Sequence, residues 1–119
     1  MFAKRTARVR FLVDTGATST ILPRAVADRI GAPELAQRFD VSLADGRRKR
    51  LPACAVGILV SGRRGPTTVL VIPRGEPLLG VETLESLGLK VNPEKGRLEP
   101  SRRAAALLVG VRAMPKRHR

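Results

Sequence analysis

The chain has 119 residues, 43% of them hydrophobic, and carries 23 Lys plus Arg against 10 Asp plus Glu, a formal charge of +13. That length suits one domain, and the apolar fraction excludes a chain too polar to fold. Three Phe with no Trp or Tyr leave a core of Val, Leu, Ile and Ala, while a single Cys and a single His exclude an intramolecular disulfide and a His-rich metal site.

Residues 8–13 read as the first strand, ending in the apolar run Phe11-Leu12-Val13. Asp14 follows at once, with Thr15 and Gly16 behind it. An ionised, unpaired carboxylate buried there would cost several kcal/mol, so Asp14 is either a turn or cap residue or has a function. Residues 23–31 predict a short helix, with Pro23 near its start, Ala25, Val26 and Ile30 facing inward, and Gly31 as the stop. Residues 39–51 carry a hairpin signal, with Asp45-Gly46 as a two-residue turn.

Residues 53–60 are apolar on both faces and predict an internal strand. Cys54 within it reads as a buried thiol rather than a nucleophile. A turn at 61–65 leads to a second buried strand at 67–72, and 73–77 reads as a loop. Leu78-Leu79-Gly80 is a short apolar segment before a helix at 81–88, where Val81, Leu84 and Leu87 share one side and Gly88 caps. Residues 89–92 and 97–99 form a last hairpin. From Ser101 the composition shifts to Arg, Ala and Leu, which divides the chain into a domain at 1–100 and a basic tail at 101–119.

So high a positive charge ordinarily points to a polyanionic partner. Its placement weakens that reading: Lys4, Arg5, Arg8 and Arg10 lie at one end, and Arg102, Arg103, Arg112, Lys116, Arg117 and Arg119 at the other. Terminal charge is more often a solvated tail than a binding face. His118 falls in that tail, which leaves a Ser or Cys nucleophile without a base. The apolar run at 104–111 is too short to span a bilayer, and the N-terminus lacks the apolar core of a signal peptide. A cytoplasmic protein without a membrane partner is the expectation.

Leu12-Val13-Asp14-Thr15-Gly16-Ala17 at a strand end, followed by Ile21-Leu22-Pro23 and by Leu78-Leu79-Gly80 before a short helix, resembles the retroviral-type aspartic proteases, the retropepsins. The likeness runs over roughly residues 8–99 in element order and is narrowest with single-domain prokaryotic and cellular members. It implies a mostly β, closed-barrel-like retropepsin (acid protease) fold with two short helices, and an aspartic endopeptidase.

Peptide hydrolysis needs a base to take a proton from water and an acid to protonate the amide. Two carboxylates about 3 Å apart serve as both, because they cannot both ionise and so share one proton, the aspartic proteases being the standard case. This chain holds one Asp-Thr-Gly; Asp28, Asp40 and Asp45 lack the flanking pattern. A dyad therefore requires Asp14 from two chains, and a homodimer with its centre on the two-fold axis.

By the resemblance, Asp14 activates water and Thr15 and Gly16 shape the turn, Thr15 bonding across to the partner loop. Ala17 and Thr18 lie where the family's substrate-backbone contacts fall. Leu79 and Gly80 pack behind the catalytic loop, and Ala44-Asp45-Gly46 form either a substrate-covering flap or a plain surface hairpin. No metal or organic cofactor is implied. The expected partners are a peptide or protein substrate and a second copy, with activity favouring acidic to mildly acidic pH.

Arg47, Arg48, Lys49 and Arg50 follow the hairpin turn. They read as a charged edge that blocks aggregation; on a flap, Arg47 and Lys49 would favour acidic substrates. Two other functions stay open. One is a non-catalytic retropepsin-fold binding or scaffold module. The other is a basic nucleic-acid-binding protein, which would need stacking platforms that only Phe2, Phe11 and Phe39 could supply beyond non-specific attraction to the basic termini.

Overall fold

The structure, a computed structural model, describes residues 5–42 and 45–101. The chain runs β1 (Leu12–Val13), β2 (Thr20–Pro23), α1 (Arg24–Ile30), β3 (Phe39–Ser42), β4 (Arg48–Leu51) and β5 (Ala53–Val60). It continues through β6 (Arg63–Ile72), β7 (Leu78–Leu79), α2 (Val81–Ser86), β8 (Leu89–Asn92) and β9 (Arg97–Pro100). This is the mostly β fold with two short helices that the sequence implies. Ala44 and the tail from residue 102 lie outside the described residues.

One five-stranded sheet, in the order β1-β7-β2-β6-β5, forms the body, with β3-β4 and β8-β9 as two-stranded hairpins. β7 lies between β1 and β2, parallel to the first and antiparallel to the second. β2 then runs parallel to β6, pairing Thr20 with Val69 and Leu22 with Val71. Among the described residues no ladder carries the main sheet round into a continuous barrel.

Branched aliphatic side chains fill the interior in three clusters, as the scarcity of aromatics requires. Leu22, Ala27, Ile30, Cys54, Val56, Val69 and Val71 join the sheet to α1. Leu79, Leu84, Leu87 and Leu89 join β7 to α2 and β8, and Leu51, Ala53 and Leu70 hold the base of the β3-β4 hairpin. Fully burying one such side chain contributes about 1.5–3 kcal/mol.

Four expectations need correction. The strand at 8–13 is reduced to Leu12–Val13: residues 6–11 join no ladder, although Ala7 and Phe11 still pack on the core. Ala25 is exposed, and Ala27 takes the inward place beside Val26 and Ile30, because the helix begins only at Arg24 and its apolar stripe is set by that phase. The hairpin pairs Ser42 with Arg48, a register centred on Asp45 that a two-residue Asp45-Gly46 turn would not give.

The fourth correction is β5, which is an edge strand and not an internal one. The segment before it covers only its first half: the Leu35 amide donates to the Ala53 carbonyl (2.8 Å) and the Ala55 amide to the Pro33 carbonyl (3.3 Å). Its far end stays open, with Leu59 60% exposed. Of the three Phe, Phe11 is committed to two core clusters, Phe39 pairs with Leu51, and Phe2 lies outside the described residues. Among the described residues Phe39, 36% exposed, is the aromatic ring left at the surface.

Cys54 is 1% exposed. Burial pushes its thiol above the usual cysteine range, with the nearby Glu34 carboxylate adding to the shift. The native chain at pH 8 should react with DTNB at least about 100-fold more slowly than the unfolded chain; comparable rates would contradict this packing.

Candidate active site

Asp14 ends β1 at the point where the chain leaves the sheet. Its amide donates to the Leu79 carbonyl (3.1 Å), which extends the β1-β7 ladder by one bond and fixes the backbone of the turn. The turn closes on itself: the Gly16 amide donates to Asp14 Oδ1 (2.9 Å) and the Ala17 amide to the Asp14 carbonyl (3.0 Å). One carboxylate oxygen is thus held by an amide. Among the described residues Oδ2 has no hydrogen-bond partner, and no Lys or Arg pairs with this carboxylate despite the chain's excess of cations. Asp14 is half-buried; Thr15 and Gly16 are exposed.

The next loop docks on the start of α2. The Val81 amide donates to the Ala17 carbonyl (2.9 Å) and the Glu82 amide to the Thr18 carbonyl (3.0 Å), which supplies acceptors to a helix end that has no side-chain cap. Ala17 therefore spends both of its backbone groups inside the site. Thr18 keeps an amide with no acceptor among the described residues.

This docking leaves no room at Gly80. A Cβ added there would lie 2.5 Å from the Ser19 carbonyl carbon and oxygen and 2.8 Å from the Thr18 oxygen. The φ of Gly80, −93°, is one that any residue adopts, so glycine is required by proximity and not by backbone strain. A Cβ on Gly16 would lie 3.3 Å from Asp14 Oδ1, so that glycine lets the amide reach the carboxylate.

Behind the loop lies a hydroxyl network absent from the sequence reading. The Gly80 amide donates to Thr20 Oγ1 (3.0 Å), Thr20 Oγ1 lies 2.6 Å from Thr83 Oγ1, and Thr83 Oγ1 lies 2.9 Å from Thr67 Oγ1. Thr20 and Thr83 are each 1% exposed, so these bonds satisfy groups that water cannot reach. The signal in the sequence was positional: Thr20 opens an apolar strand and Thr83 stands beside the inward Leu84 of α2.

Among the sequence-named residues, the structure brings Asp14, Thr15, Gly16, Ala17, Thr18, Leu79 and Gly80 into one interlocked unit. The hairpin residues Asp45 and Gly46 are not joined to it by any hydrogen bond or ion pair among the described residues. At the hairpin tip Gly46 has φ +87°, and Asp45 accepts from the Arg47 amide (3.0 Å) and from its guanidinium (2.7 Å). Those two bonds hold the Asp45 carboxyl below the usual carboxylate range. Arg47 is thereby turned back onto its own turn, and Arg50 onto Asp40 (3.2 Å). Lys49 shares the face of Val41 and Leu51 by register. No group of three or more His, Cys, Asp or Glu that could hold a metal occurs among the described residues.

Comparison with known proteins decides the family. The family model described as Aspartyl protease matches residues 5–83, from the segment before β1 into the first turn of α2.

The chain belongs to the aspartyl protease family, as a member of retropepsin type.

EIAV protease in complex with the inhibitor HBY-793 is similar in structure, with a TM-score of 0.59 and 27% identity over 69% of this chain and 79% of that one. No curated protein matches significantly. The matched region ends at Thr83, so it takes in both the Asp14 turn and Gly80. The family's mostly β fold is the one seen here, and no helix among the described residues is long and apolar enough to cross a membrane.

In this aspartyl protease family member, Gly80→Ala should lower stability by about 2 kcal/mol or more, because the added methyl meets backbone that cannot swing aside. At Gly57 a Cβ meets nothing within 4 Å, so Gly57→Ala should change stability by at most about 0.5 kcal/mol. Urea midpoints measure both, and equal midpoints would contradict the close approach.

Proposed function

We propose that the protein is a homodimeric aspartic endopeptidase in which Asp14 of each subunit contributes one carboxylate to a water-activating dyad. The observation that carries this reading is the state of Asp14. Its Oδ1 is oriented by the Gly16 amide, its Oδ2 has no hydrogen-bond partner among the described residues, and no cation among them neutralises it. A lone carboxylate in that position has an orienting bond and no chemical partner, and a two-fold axis through the turn would supply one.

In the dimer the two carboxylates share a proton, so the protonated member donates to the substrate carbonyl while the ionised member draws a proton from water. One member thus serves as the acid and the other as the base, and activity is expected to favour acidic to mildly acidic pH. Thr15 and Gly16 set the turn. Ala17 and Thr18 would meet the substrate backbone, Thr18 through an amide that has no acceptor among the described residues. The hairpin around Ala44, Asp45 and Gly46 is either the flap that covers the peptide or a plain surface hairpin, and the chain divides into a catalytic domain at 1–100 and a basic tail at 101–119. The reaction calls on no cofactor, and a cytoplasmic site of action suits it.

A second reading, a non-catalytic module of the same fold, is favoured by one specific feature. β1 has only two residues, and they are 52% and 39% exposed at Leu12 and Val13, a slender support for a dimer centre. Asp14→Asn separates the readings. For the enzyme, kcat/KM on a peptide library should fall at least about a thousandfold with the midpoint of unfolding unchanged. Cleavage that persists in the variant would contradict the endopeptidase.

A further inference from the structure

Among the described residues the main sheet ends at β1 and at the far half of β5 with no strand beside either, and a groove of about 900 Å³ lies between them. One wall is the segment at 5–13; the other is the far half of β5, from Val56 to Val60. The floor is core: Leu22, Val26, Ile30, Val69 and Leu79 all reach it. Both walls have the backbone of a strand without a neighbour. Residues 6–11 keep an extended alternation, with Ala7, Val9 and Phe11 more buried than Thr6, Arg8 and Arg10, yet join no ladder.

On β5 the alternation of an antiparallel ladder settles which groups point outward. Ala53 and Ala55 aim their backbone groups away from β6, to Leu35 and Pro33. Gly57 and Leu59, in the same phase, aim theirs at the groove, and nothing among the described residues meets them. Open edges of this kind are templates for an added strand.

The charges around the groove are of one sign. Arg5, Arg8 and Arg64 line it, and no Asp or Glu does. Arg5 is engaged with the carbonyls of Arg29 and Asp28 at the end of α1, whereas Arg8 and Arg64 have no ion-pair partner among the described residues. Arg64 lies opposite Leu59 and so on the outward face of the sheet, while Val56, Ile58 and Val60 face the core.

We propose that this groove takes an extended segment of a partner protein as an added β-strand, apolar residues on its inward face and acidic residues on its outward face beside Arg8 and Arg64. A second copy of this chain is a poor occupant, because its segment at 5–13 would bring Arg8 and Arg10 against those two and its β5 has no acidic residue to meet them. The inference does not depend on Asp14 or on catalysis.

The test uses the full chain and a capped, dye-labelled peptide of about eight alternating Val and Glu residues, with a Val and Lys peptide as its counterpart. The Glu peptide should bind at least about tenfold more tightly than the Lys peptide by fluorescence anisotropy, and should protect the Gly57 and Leu59 amides from hydrogen exchange. Gly57→Pro, which removes an outward amide not used by β6, should weaken binding. The double variant Arg8→Glu with Arg64→Glu, whose fold does not depend on a proline in a strand, should invert the preference. Absence of binding at millimolar peptide, or equal binding of the two peptides, would overturn the proposal. So would protection of the same amides without peptide, which would assign the groove to this chain itself or, if protection grows with concentration, to a second copy.

Discussion

The contact between Gly80 and the backbone of Thr18 and Ser19 is the constraint on which the rest of the site depends. With no side chain at Gly80, the loop after Asp14 can lie directly on the turn from β7 into α2. From that approach follow the bonds from the Val81 and Glu82 amides to Ala17 and Thr18. The buried path from the Gly80 amide through Thr20 and Thr83 to Thr67 belongs to the same approach. Each bond is worth about 1 kcal/mol net, but each would leave an unsatisfied group if the loop lifted, at a cost of about 1–3 kcal/mol. The Asp14 backbone is therefore held at its amide and its carbonyl, and one carboxylate oxygen is held by the Gly16 amide.

Much of this was legible from local pattern. Pro23 and Gly31 bound α1 as their backbone preferences dictate, Gly31 at φ 67°. The Asp14-Thr15-Gly16 turn and Leu78-Leu79-Gly80 are short-range signals, and the fold joins them through adjacent parallel strands. Less legible was whatever depended on a neighbour. Residues 8–11 have the alternation of a strand, yet pairing needs a second backbone and none is beside them among the described residues. β5 is apolar on both faces because it packs on core clusters near its start and end, which in sequence looks the same as an internal strand. The threonine network was hidden because a hydroxyl acquires meaning only when another group, distant along the chain, completes it: Thr20 and Thr83 are 63 positions apart.

These two outcomes are connected. The shortened first strand and the exposed end of β5 go together, since among the described residues neither has a strand beside it. The cations around the gap give the excess positive charge a physical consequence at a particular place, whereas stacking surfaces for nucleic acid are few. The hairpin cations behave differently. Arg47 and Arg50 are paired with Asp45 and Asp40, so much of their charge is spent in holding the hairpin. Such exposed pairs add little to stability, with a median of about 0–1 kcal/mol.

Asp14 oriented from one side and unpartnered on the other invites a single decisive measurement: activity in mixed assemblies. Wild-type and Asp14→Asn chains are unfolded together, refolded at a fixed total concentration and assayed as their ratio is varied. If each working centre takes one carboxylate from each of two chains, activity falls as the square of the wild-type fraction, because a mixed pair cannot share a proton between two acids. A decline in simple proportion to that fraction would mean that each chain works alone, and would contradict the shared dyad.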